Sequence, residues 1–173
     1  MKAKRIAIDA MMSAMYVTLA YFSINLGFAK ITFECFPVII AGLMLGPVDG
    51  LIVGAIGTFI YQLTGYGITI TTLLWMLPYM VCGVVCGLYA KRFKYYNSLK
   101  QIWIIIIIAE LLVFVFNTLA IFVDSKVYGY YTFAYVWGAV WVRLAAAAVK
   151  SVIYGFITMP VLNGMAQVSG RKK

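Results

Sequence analysis

What most limits this chain is the length of its continuous apolar runs. One extends from Ile6 to Phe28 and another from Ile102 to Val123. Each matches the roughly 20 residues that a helix needs to cross a hydrocarbon core of about 30 Å. The rest of the sequence agrees: 65% of the 173 residues are hydrophobic and only 11% are charged, where soluble domains carry about 25% charge. An ordinary soluble domain and a disordered chain are both excluded. A membrane barrel would show short alternating strands instead of long runs. The expected class is an all-α membrane protein.

Length sets the number of crossings. Six spans use roughly 120–135 residues at the usual length, leaving loops but no room for a soluble domain. The expected spans are residues 6–27, 36–46, 51–63, 71–90, 102–123 and 140–168, within a single integral membrane domain covering 1–173. Gly46-Pro47-Val48-Asp49-Gly50 reads as a tight turn, and Asp124-Ser125-Lys126 as the opening of a polar loop. Pro160 is expected to bend or weaken the last span. The apolar stretch behind Met1-Lys2-Ala3-Lys4-Arg5 is too long for a signal-peptide h-region and reads as a retained helix.

Basic residues orient the bundle. Lys2, Lys4 and Arg5 precede span 1, Lys91, Arg92, Lys94 and Lys100 join spans 4 and 5, and Arg171, Lys172 and Lys173 end the chain. These are most of the 14 basic residues. The positive-inside rule then places both termini in the cytoplasm. Lys30 and Lys126 fall in outer loops, while Arg143 and Lys150 lie within span 6.

Several chemistries are missing. The chain has no His, which removes His-containing metal sites and triads. It has no P-loop, GxSxG or HExxH. No cofactor or metal is expected, and ATP hydrolysis by this chain is not. Cys35, Cys82 and Cys86 read as small membrane residues, with a Cys82–Cys86 disulfide geometrically unfavourable. Gly42/Gly46, Gly50/Gly54 and Gly83/Gly87 form GxxxG pairs, and Ala10/Ala14 an AxxxA, all suited to close helix contact.

Ionisable residues within a membrane are costly and mark candidate sites. Glu110 lies near the middle of span 5. Arg143 and Lys150, two turns apart, form a basic stripe descending from the outer side of span 6. The stripe suits an anionic ligand group; alternatively, Lys150 forms a structural ion pair with Glu110. The same outer half concentrates Tyr66, Thr69, Thr71, Thr72, Trp75 and Tyr79 before and within span 4, and Asn117 in span 5. Tyr128, Tyr130, Tyr131, Tyr135, Trp137 and Trp141 follow around the start of span 6. An interfacial aromatic belt accounts for many of these. Aromatic faces beside Thr and Asn also suit a planar heterocycle.

With six spans, the AxxxA of Ala10 and Ala14 and no ATPase motif, the chain resembles the substrate-binding S component of an energy-coupling factor (ECF) vitamin transporter. It looks most like the folate-type family. The stretches that carry the resemblance are Lys30 to Gly50, Asn117 to Phe133, and Arg143 to Pro160. One segment departs: Gly67 to Trp75 stands where folate carriers have a Phe-Pro-Gly-Phe-Thr-like entry to span 4.

The resemblance implies a bacterial cell-membrane subunit that captures a vitamin outside, under a roof formed by the loop between spans 1 and 2. It also implies docking, through the face bearing Ala10 and Ala14, on an ECF transmembrane coupling subunit that carries two ATPase subunits. Toppling of the S component then delivers the ligand inward. Folate is the first vitamin implied, and pantothenate or a cobalamin- or pyridoxine-like compound the alternative. On the folate reading, Arg143, with Lys30 or Lys150, would hold a carboxylate. Trp75, Tyr79, Tyr131, Tyr135 or Trp141 would stack on the ring, and Asn117, Thr71 and Thr72 would read its edge. A small membrane enzyme or channel is the rival class; it would need a catalytic cluster or a continuous polar pore, and the sequence has neither sign.

Overall fold

The computed structural model describes residues 2–25, 30–94 and 98–169. Arg171, Lys172 and Lys173 lie outside the described residues. The chain runs α1 (Lys2–Tyr21), β1 (Ile24–Asn25), β2 (Lys30–Ile31), α2 (Cys35–Leu45), α3 (Pro47–Gly65), α4 (Thr72–Arg92), α5 (Leu99–Val127), a π-helical turn (Ala134–Gly138) and α6 (Val140–Ser169). Apart from a two-residue antiparallel pairing of Ile24 with Ile31 and Asn25 with Lys30, the described structure is helical.

Among the described residues, four segments are long and apolar enough to cross a membrane: Pro47–Gly65, Thr72–Arg92, Leu99–Val127 and Ala134–Met165. The 11-residue α2 rises only about 16 Å at 1.5 Å per residue, short of a hydrocarbon core. It lies instead among α1, α3, α4 and α6. Its Val38, Ile39, Ile40 and Leu43 are buried, as are Tyr16 of α1, Val53 of α3 and Ile102, Ile105 and Ile106 of α5. Leu73, Trp141 and Phe156 point outward, as lipid-facing side chains do.

The boundaries depart from the sequence expectation where side chains or backbone find partners. No five-residue turn separates spans 2 and 3: Gly46 alone makes the break, at φ 121°, a conformation natural to glycine. Pro47 then opens α3, where its fixed φ favours the first helical turn. Asp124, Ser125 and Lys126 stay helical in α5, because the Asp124 carboxylate has Thr71, Trp75 and Tyr130 as donors within the fold. Helix α6 continues past Pro160, a residue tolerated in membrane helices. At the other end of α5, Ser98 and Gln101 form a capping box.

The GxxxG residues are spent on contacts inside the chain. A Cβ on Gly83 would sit 2.2 Å from the Gly50 carbonyl oxygen, and one on Gly87 2.2 Å from the Pro47 nitrogen. Gly42 faces Gly83, and Gly54 faces the Tyr79 backbone. Helices α2, α3 and α4 therefore meet backbone to backbone. The three cysteines are free and buried, with Cys35 Sγ 3.4 Å from Cys82 Sγ.

Candidate functional site

The helices enclose a cavity of about 600 Å3, the size of a small-molecule site. Tyr16 of α1, Thr32 and Glu34 before α2, and Thr58, Tyr61 and Gln62 of α3 line one side. Thr71 before α4 and Trp75 and Tyr79 within it line the next. Helix α5 contributes Glu110, Val113, Asn117 and Asp124, and α6 contributes Arg143, Ala146, Ala147 and Lys150. Tyr66, Tyr128, Tyr130 and Tyr135 also line it and are exposed, marking its open end.

Each charge in the cavity has a distinct setting. Lys150 Nζ lies 2.8 Å from Glu110 Oε2, with both side chains largely out of solvent. Of the two roles the sequence left open for Lys150, this is the ion pair. Asp124 accepts hydrogen bonds from the Thr71 hydroxyl, the Tyr130 hydroxyl and, at 3.3 Å, Trp75 Nε1. That clasp ties the end of α5 to the entry of α4 and to the following loop. Burial and the Asp124 carboxylate push the Tyr130 phenol above its ordinary pKa. Arg143 donates through Nη2 to the Val136 carbonyl of the π-helical turn, while its Nε is buried without a partner. Asn117 Oδ1 is likewise buried and unpartnered. Glu34 accepts from the Tyr79 hydroxyl through Oε1, and its Oε2 has no hydrogen bond.

The structure thus brings Arg143, Lys150, Trp75, Tyr79, Thr71, Asn117 and Tyr135 to one cavity. Three other expected ligand-binding residues do not line it. Thr72 turns back to accept from the Thr69 backbone N–H at 2.9 Å. Tyr131 packs edge-on to Phe122 beneath the Lys126 ammonium. Trp141 is 76% exposed on α6. Lys30 has its backbone in β2, but its side chain lies outside the described residues. Ala10 and Ala14 are exposed on α1, whose Tyr16 turns inward. The sequence reading missed Glu34, Asp124, Tyr16 and the α3 residues. Asp124 opens a polar triplet that reads as a loop, and Glu34 lies in a stretch whose sequence signal is the resemblance alone. Among the described residues no acidic or Cys cluster could hold a metal ion.

The family model for the substrate-specific component of ECF transporters matches residues 4–162. The chain belongs to that family. This S component is similar in structure to the S component of a bacterial ECF transporter, with a TM-score of 0.69 and 20% identity over 95% of this chain and 99% of the other. It is also similar to FolT bound with folic acid, with a TM-score of 0.67 and 25% identity over 94% of this chain and 96% of the other. No curated protein matches the sequence. An S component is a substrate-binding subunit of a transporter, not an enzyme.

Proposed function

We propose that this S component captures folate outside the cell and delivers it inward together with an ECF coupling subunit and two ATPase subunits. The observation that carries the reading is Arg143: a guanidinium within a small-molecule cavity, with a buried donor unused. A carboxylate of the vitamin satisfies it through a charge-assisted pair. Trp75, Tyr79 and Tyr135 offer aromatic surface to a pterin-like ring, and Asn117 and Thr71 offer polar contacts to its edge. The likeness to FolT bound with folic acid supports folate over pantothenate and over cobalamin- or pyridoxine-like ligands.

In this reading the chain crosses the membrane six times, with α1 and the short α2, lengthened by the non-helical residues 30–34 that lead into it, completing the set, and both termini face the cytoplasm. The basic residues flanking α1, α4 and α6 support that orientation. Ala10 and Ala14, small and exposed on α1, form the face that docks on the coupling subunit, since small residues admit close helix approach. Uptake of labelled folic acid by bacterial cells expressing this chain tests the proposal. Accumulation is expected only when the coupling subunit and both ATPases are co-expressed. Equal accumulation without them, or none with them, contradicts it.

A further inference from the structure

We propose that Glu34 is the specificity-determining residue of the cavity, reading paired N–H donors on an amino-substituted heterocycle. This rests on the chain being a vitamin-binding S component but not on which vitamin it carries. Among the carboxylates lining the cavity, Glu110 is charge-paired with Lys150 at 2.8 Å, although its buried oxygens accept no hydrogen bond, and Asp124 accepts from three side-chain donors. Glu34 is different. It is 7% exposed and, among the described residues, it has no ion-pair partner, receives only the Tyr79 hydroxyl, and keeps a buried Oε2 without a hydrogen bond.

A buried carboxylate with one donor is under-satisfied. Glu34 also holds the N-cap position of α2, but its side chain makes no cap hydrogen bond there. An ionised carboxylate is an acceptor only, with two oxygens. Its best complement is a planar group presenting two parallel N–H bonds, such as an exocyclic amine beside a ring N–H or a protonated ring nitrogen. The surroundings suit a planar ring: Tyr79 meets Tyr16 edge-on at 5.1 Å between ring centroids, and both line the cavity. Replacing that exocyclic amine by a carbonyl turns a donor into an acceptor aimed at the carboxylate, which repels it.

The test uses two ligand pairs that differ only by amine against carbonyl beside a ring N–H: folic acid with its 2-deamino-2-oxo analogue, and the bare ring pair pterin and lumazine. Each is titrated into the purified full-length chain and into Glu34→Gln. The amino member of one pair is expected to bind the native chain at least 30-fold more tightly than its oxo partner. That gap is expected to fall below threefold in Glu34→Gln. Should the pterin pair show this behaviour and folic acid fail to bind, the folate reading falls and the role of Glu34 stands. The role is overturned if the oxo member binds as well as the amino member, if Glu34→Gln keeps the gap, or if neither pair binds. Should Glu34→Gln not fold, the amine-to-carbonyl comparison in the native chain still decides.

Discussion

Arg143 enters the cavity with Nη2 committed to the Val136 carbonyl and Nε unpaired. Loss of a buried charge-assisted partner costs about 2–5 kcal/mol of binding, so Arg143→Ala is expected to weaken folic acid binding well over tenfold in calorimetry. Near-unchanged affinity contradicts its role. The Glu110–Lys150 pair is expected to act on stability. Glu110→Gln leaves a buried ammonium unpaired, a loss of about 3–5 kcal/mol, whereas the double change Glu110→Gln/Lys150→Met removes both charges and recovers most of it. Thermal unfolding in detergent checks both, and a double variant no more stable than Glu110→Gln contradicts the pairing. Arg143, Lys150 and Glu110 were legible in the sequence because charges inside apolar spans stand out. Glu34 and Asp124 were not, because they sit at helix ends, where an acidic residue reads equally well as a loop residue. Only folding brings Thr71, Trp75 and Tyr130 around Asp124, and Tyr79 to Glu34.

Helices α3 and α4 meet where no side chain fits between them. A methyl group on Gly83 would press on the Gly50 carbonyl at 2.2 Å, so Gly83→Ala is expected to destabilise the protein by about 1–3 kcal/mol through overpacking. A melting temperature in detergent equal to that of the native chain argues against this contact. The GxxxG spacing signalled close approach but could not name the partner, since small residues serve contacts within a chain and between chains alike. The element boundaries were legible where hydropathy changes, and not where backbone geometry decides. Gly46 achieves in one residue what five turn-forming residues had suggested, and α5 outruns its apolar core because its last charges are held by neighbours.

The whole molecule combines a cavity lined by five helices with an α1 face of exposed small residues. If capture and docking are separate functions of these two surfaces, they can be separated by mutation. Ala14→Trp is expected to leave folic acid affinity within threefold of native while abolishing uptake in cells with the full transporter. Lost affinity, or uptake at the native rate, contradicts the division. The class of the chain, a multi-helix membrane protein, was legible from its apolar runs. The number of crossings was not read so directly, because α2 is buried by its neighbours and is too short to cross by itself. The most direct test of capture is equilibrium titration of folic acid into the purified chain alone, followed by the fluorescence of the cavity-lining Trp75. The expected result is saturable quenching with one ligand per chain, lost in Arg143→Ala. No saturable binding, or binding undiminished by Arg143→Ala, contradicts the assignment of this cavity as the vitamin site.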